Sequence, residues 1–259
     1  MIKELGCPQR KLILEDSHYY DIINKFNGKT NLFETIYEYK YLKSSYQPDY
    51  DSAILDKMFF DTDSKNSLHT TIKFHKYLMK HNIKHYIKQS SYLRFHIIVF
   101  CDNGVENKKK ALFNAMCHLA SKAGLSFGNA DECDFDMSTF GDLARLCRIP
   151  GTYNLKRNSW CTYITEEDLY DIDKLKAKSE EFSNSLTYYG TDLFCITNFD
   201  SESYSQKYSM VYDNEEFKFE SSIKIVNNFP PFIKKILDDY KGYGNWKNRW
   251  RFAIFCREF

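Results

Sequence analysis

The chain has 259 residues, 43% apolar and 27% charged, a folded-protein composition that excludes a disordered or fibrous chain. Thirty-six basic residues against 35 acidic ones leave a formal net charge of +1, so bulk charge announces no nucleic-acid partner. No run approaches the length of an apolar membrane span and the N-terminus has no signal-like stretch, so a soluble cytoplasmic protein with no membrane partner is expected.

In chain order, residues 31–39 read as extended and are followed by a loop around Pro48. Lys57–Asp61 is predicted as a buried strand, because Met58, Phe59 and Phe60 form an unbroken apolar run. A helix is predicted from Ser67 to Lys80, with Leu68, Ile72, His75 and Leu78 along one stripe. Phe95–Cys101 is β-branched and aromatic and reads as the clearest strand. A second helix runs from Lys108 to Ala123 and stops at Gly124, suited to a left-handed C-terminal position. Ser138–Cys147 reads as a short helix ended by Pro150-Gly151. Thr165-Glu-Glu-Asp168 has the spacing of a capping box and opens another helix. Residues 176–228 are polar with weak periodicity. After Pro230-Pro231, helices are expected at 232–240 and 246–259, the last still in progress at the final residue, as in a chain cut from something longer. Strand, helix and strand alternating over 57–124 argue a mixed α/β or α+β domain.

Eight cysteines are present, no two of them in a C-x-x-C pair, and without a secretory signal a disulfide framework is not expected. Cys117, His118 and Cys133 are the candidates for a structural zinc site, but their spacing matches no common zinc pattern. Free buried thiols are the better expectation.

Three segments carry chemistry. In Phe59-Phe60-Asp61-Thr62-Asp63, the two acids stand at i and i+2, on one face of a strand. Two carboxylates that close repel, and a divalent cation relieves the repulsion. Ser90-Ser91-Tyr92-Leu93-Arg94-Phe95-His96 gathers hydroxyls, a guanidinium and an imidazole at the mouth of a strand, a place to hold phosphate oxygens. Residues 134–156 run from an acid through Arg145 and Arg148 to Pro150-Gly151-Thr152, Asn154 and Lys156.

In this order the three segments resemble the archaeo-eukaryotic primase superfamily, most closely the primase-polymerases of archaeal plasmids and viruses. Asp61 and Asp63 resemble its first motif, Ser90 to His96 its second, and Asp136 with Arg-x-x-Arg-x-Pro-Gly-Thr-x-Asn-x-Lys its third. The likeness covers residues 31–160 well, and the segment after Pro230 resembles the start of the family's helical domain. Where the family's second motif carries glycines, Ser91, Tyr92, Leu93 and Arg94 stand here. The third acid is Asp136 by its distance from the Pro-Gly turn, with Asp134 and Asp142 as alternatives.

The resemblance implies an α+β primase catalytic fold, an RRM-like sheet plus an α/β module, over residues 1–228. A small helical segment follows over 229–259. It implies a nucleotidyltransferase that makes primers de novo, or extends them, on a single-stranded DNA template from NTPs or dNTPs. Two divalent cations, Mg²⁺ or Mn²⁺, would be held by Asp61, Asp63 and Asp136. His96 would join these acids as a catalytic residue and contact the triphosphate, with Ser90, Arg148, Asn154 and Lys156. A helicase or a further replication module is the partner such chains imply.

The run from Lys73 to Arg94 holds six basic residues, three histidines and no acid. It reads first as a solvated face and second as a track for the template backbone. The competing functional reading is a catalytically inactive primase-like module that binds single-stranded nucleic acid in a replication complex. Three acids beside phosphate-binding groups argue against a pure binder.

Overall fold

In the computed structural model the described residues are 2–7, 9–62, 64, 66–105, 108–128 and 133–200. All fall in the first of the chain's two units, Met1–Tyr208. The helical segment expected over 229–259, its boundary at 228 and Asp63 lie outside them.

The chain opens with strands β1 (Lys3–Cys7) and β2 (Gln9–Ile13), helix α1 (Asp16–Phe26) and strand β3 (Phe33–Thr35). A small hairpin follows, β4 (Leu42–Ser44) with β5 (Gln47–Pro48), and then β6 (Lys57–Asp61) and α2 (Ser67–Lys80). Next come β7 (His85–Ser91), β8 (Arg94–Phe100) and α3 (Lys108–Lys122). Short strands β9 (Phe127–Gly128), β10 (Phe135–Asp136), β11 (Leu146–Arg148), β12 (Tyr153–Asn154), β13 (Ser159–Trp160) and β14 (Thr162–Ile164) precede helices α4 (Glu166–Leu169) and α5 (Ile172–Glu180). This is an α+β fold.

The main sheet has the order β14-β7-β8-β6, antiparallel throughout. Its strands alternate between two faces. On one face Phe60, Phe95, Ile97 and Val99 are buried in the core with Phe74 and Leu78 of α2 and Leu112 and Met116 of α3. Four rings anchor it: Phe60 lies 4.7 Å from Phe74, 5.2 Å from Phe135 and 5.8 Å from Phe140, centroid to centroid. The buried stripe of α2 runs through Ser67, Thr70, Thr71, Phe74, His75 and Leu78, so Leu68 and Ile72 flank it rather than lead it. The helix ends themselves match the expectation at both termini.

The opposite face carries a row in register across all four strands: Tyr163, Lys88, His96, Asp61. A second sheet, β11-β3-β1-β2, meets this face. Its register sets Leu5 opposite Glu34 and Glu34 opposite Cys147, so these side chains share one face. At the β1–β2 end α1 covers that face, packing Ile22 with Leu5 and Ile13. At the β11 edge the same face presents Arg145 and Cys147 to the main sheet.

The short helix expected over Ser138–Cys147 is not there. Met137–Thr139 makes one 3-10 turn, Gly141 adopts φ +71°, and Leu146–Arg148 pairs antiparallel with β3 as strand β11. Local propensity for a helix lost to the ladder that β3 offers. Three other expectations stand: Gly124 adopts φ +67° after α3. Thr165 and Asp168 form the reciprocal capping box of α4. Strand β8 begins one residue before the expected Phe95.

Candidate functional site

Asp61 ends β6 and stands directly opposite His96 in the ladder. The next residue, Thr62, is fully buried and fixes the strand end. Its hydroxyl donates to the Phe95 carbonyl at 2.9 Å and lies 2.9 Å from the Ser67 hydroxyl and 3.1 Å from that of Thr71. The Asp61 carboxylate faces an imidazole and a guanidinium. His96 Nε2 lies 3.9 Å from Oδ1, and the Arg145 guanidinium lies 3.5 Å from Oδ2. Phe59, two residues earlier and so on the same face, packs edge-on to His96 with centroids 4.8 Å apart and sits under Arg145.

His96 is buried, and burial followed by the positive charges of Lys88, Arg145 and Arg148 holds its pKa well below the ordinary imidazole value. It is therefore neutral at pH 7, and its Nδ1 is buried with no hydrogen-bond partner. Lys88, its neighbour across the ladder, is 1% exposed. The Lys88 ammonium donates to the Arg148 carbonyl at 2.8 Å and to the Cys147 sulfur at 3.2 Å, tying the main sheet to β11. Sequence reasoning placed Lys88 in a basic run. The alternation of Tyr86, Ile87 and Lys88 before a second strand was the signal for its burial.

Ser91 to Arg94 form the tight end of a hairpin between β7 and β8, with Ser91 paired to Arg94. Leu93 holds φ 56° there, a conformation a bulky side chain rarely adopts and one that glycine takes freely. Ser90 donates to the Arg94 carbonyl at 3.3 Å and offers its own carbonyl to the Asn154 amide at 3.4 Å. The Asn154 side-chain oxygen is buried without a partner. The hairpin and the Pro-Gly segment are thus in contact through two nominated residues.

Arg145 and Arg148 point to different surroundings. Arg145 reaches Asp61, whereas Arg148 lies over the Phe33 ring at 4.6 Å and donates to Asn31 Oδ1 at 3.1 Å. Burial lowers the Arg148 pKa. Asn31 also accepts the Leu155 backbone N–H at 3.1 Å. Asn27 clamps the turn from the other side, donating to the Gly151 carbonyl and accepting from the Tyr153 N–H, both at 2.9 Å. Neither asparagine carries a motif that sequence alone would single out. Lys156 is exposed between β12 and β13.

The three candidate acids of the third segment have separate surroundings. Asp134 accepts from the Thr70 hydroxyl at 2.7 Å and from the Ser126 N–H and hydroxyl at 2.9 and 2.8 Å. Burial alone would raise its pKa, but these bonds and the charge of Lys73 hold it below the usual carboxylate value. Asp142 accepts the Ala144 N–H. Asp136 is half-buried, accepts the N–H and hydroxyl of Ser138, and follows Phe135, whose ring packs on Phe60 beside Asp61. Strands β6, which ends at Asp61, and β10, which ends at Asp136, are in contact through these rings.

Among the described residues no three His, Cys, Asp or Glu side chains form a metal-holding group. Mg²⁺ needs less: one or two carboxylates, with substrate phosphates and water completing its shell. Partly exposed carboxylates at Asp61 and Asp136 fit that requirement. Cys117 is buried in α3, and the His118 ring lies 5.0 Å from that of Phe199. The described cysteines are all free thiols, five of them buried.

The basic run is not a single face. Lys73 donates to the Gly124 carbonyl, Lys84 sits between the Phe100 and Tyr188 rings, Lys88 is buried and Arg94 donates to the Ser64 carbonyl. His75 and His85 are buried beneath it. No helix among the described residues is long and apolar enough to cross a membrane.

No protein-family profile and no curated protein sequence matches the chain. Among solved structures, the polymerase domain from Mycobacterium tuberculosis ligase D in complex with DNA is similar at 9% identity and a TM-score of 0.41, over 58% of this chain and 60% of that one. The catalytic domain of primase RepB′ in complex with initiator DNA is similar at 9% identity and a TM-score of 0.41, over 83% of this chain and 90% of that one. Primase RepB′ is similar at 8% identity and a TM-score of 0.37, over 93% of this chain and 66% of that one.

Proposed function

We propose that the chain is a template-directed nucleotidyltransferase of the archaeo-eukaryotic primase type, building or extending primers on single-stranded DNA. The observation that carries this reading is the Asp61–His96 pair at a strand end, faced by Arg145 and joined to the Asn154 segment through Ser90. An acid, a neutral imidazole and a guanidinium gathered at one strand end suit a triphosphate better than they suit a neutral substrate.

In the reaction, a 3′-hydroxyl attacks the α-phosphate of a nucleoside triphosphate. The new P–O bond forms as the bond to pyrophosphate breaks, and the hydroxyl proton passes to solvent. Asp61 and Asp136, with Asp63, would hold two divalent cations, Mg²⁺ or Mn²⁺, which when bound supply Lewis-acid stabilisation of the attacking and leaving oxygens. His96, neutral, can present a ring N–H to a phosphate oxygen without adding positive charge beside the acids. Arg148, Asn154, Ser90 and Lys156 orient the triphosphate and offset charge on the departing pyrophosphate. A covalent intermediate is not required.

The test is synthesis on an unprimed single-stranded DNA template with NTPs or dNTPs and Mg²⁺ or Mn²⁺, against a folded Asp61→Ala variant. Products from the parent alone support primer synthesis. Extension of a supplied primer without de novo products would make it a polymerase whose initiating parts lie elsewhere. Neither activity, with retained single-strand binding, would favour the inactive binding module.

A further inference from the structure

The contact between Arg145 and Asp61 is close enough to matter and too long to be locked. At 3.5 Å it exceeds the span of a charge-assisted hydrogen bond. The guanidinium is held loosely in other ways too. Its Nε is buried with no partner, and its plane lies 5.9 Å from the Phe59 ring centre. The backbone beneath it is anchored, since Ile36 donates to the Arg145 carbonyl at 3.0 Å and Arg145 donates to the Asp142 carbonyl at 3.3 Å. A fixed backbone thus carries a side chain with spare donors, half-exposed, beside the acid nominated to hold a cation.

A guanidinium and a hard divalent cation compete for the same carboxylate. A triphosphate competes for the guanidinium, and its larger negative charge favours it over a single carboxylate held only at 3.5 Å. We propose that Arg145 is an internal cation that occupies Asp61 until a nucleoside triphosphate draws the guanidinium away, coupling divalent-cation binding at Asp61 to nucleotide arrival. The inference rests on the nucleotidyl-transfer reading above. It assigns Arg145, rather than Arg148, the exchange between acid and phosphate, because Arg145 faces Asp61 whereas Arg148 lies against Phe33 and Asn31. By linkage the coupling is reciprocal: the cation tightens nucleotide binding by the same factor.

The experiment measures Mn²⁺ binding to the full chain by electron paramagnetic resonance, with and without an α,β-methylene nucleoside triphosphate analogue. Without nucleotide, Arg145→Gln should bind Mn²⁺ roughly fivefold more tightly than the parent, the scale of losing one partly exposed ion pair. Its gain on adding nucleotide should shrink by about the same factor. Arg145→Lys, which keeps the charge, should stay near the parent. Arg148→Gln removes a charge nearby but not the contact, and should change nucleotide-free Mn²⁺ affinity little. If Arg145→Gln binds no more tightly, or Arg148→Gln tightens equally, the inference is overturned while the functional reading stands. If Asp61→Asn leaves Mn²⁺ binding intact, the reading and the inference fall together.

Discussion

His75 and His85 are joined ring to ring inside the protein, Nδ1 of the first 2.8 Å from Nε2 of the second. The direction of that bond follows from the next one. His85 Nδ1 lies 2.7 Å from the Ile83 carbonyl, which can only accept, so His85 carries its proton on Nδ1 and accepts at Nε2. His75 therefore donates from Nδ1, and its Nε2 is left with no hydrogen-bond partner, 3.7 Å from Glu166. Both rings are neutral, because burial lowers each pKa from 6.5 to about 4.

Stability should consequently fall in mild acid. Between pH 6.5 and about 4 the unfolded chain takes up protons that the folded one refuses, so the contribution is complete above pH 6.5 and declines as pH drops. At pH 5 the loss should be about 2 kcal/mol per histidine. Urea midpoints at pH 7.5, 6 and 5 measure it, and a flat profile across that window would contradict the neutral pair.

Lys88 should tolerate an apolar replacement better than a truncation. Lys88→Ala opens a cavity and strips a donor from the Arg148 carbonyl, and should cost about 3 kcal/mol in urea unfolding. Lys88→Met loses the same donor but fills the space without a buried charge, and should cost clearly less than the truncation. Equal losses would show that the charge, rather than the volume, holds β7 to β11.

Asp134 and Asp136 should separate by assay. Asp134→Asn weakens the clasp to Thr70 and Ser126 and should lower stability by about 1–2 kcal/mol, with nucleotide incorporation retained at a temperature where the variant is folded. Asp136→Asn should leave the melting temperature within a few degrees and abolish incorporation. The reverse pattern would make Asp134 the third acid.

Asn27 should matter to the turn it clamps. Asn27→Ala removes bonds to Gly151 and Tyr153, at a cost of about 1–3 kcal/mol. It should weaken nucleotide binding in a titration with a labelled analogue while leaving Mn²⁺ binding unchanged. Asn27→Asp should be worse, since a carboxylate oxygen then faces the Gly151 carbonyl.

Much of the main sheet's core was legible along the chain. The apolar runs before Asp61 and after Arg94, the α2 and α3 boundaries and the Thr165 capping box are set by residues near one another, and local preference and local burial agree there. The N-terminal strands and α1 carried no comparable pattern. In β2 the burial runs from exposed Gln9, Arg10 and Lys11 to buried Ile13, because it is an edge strand with one end open to solvent.

By itself, then, the sequence determined which residue types are spaced for phosphate and cation chemistry, and which segments build the sheet that carries Asp61 and His96. Tertiary structure decided the partners. Strand β11 exists because β3 offers a ladder in which Cys147 pairs with Glu34, 113 residues away in the chain, and its alternation turns Arg145 toward Asp61 and Arg148 toward Phe33. Spacing along a chain specifies a face only once the element type is known, and here that type was settled by a long-range pairing.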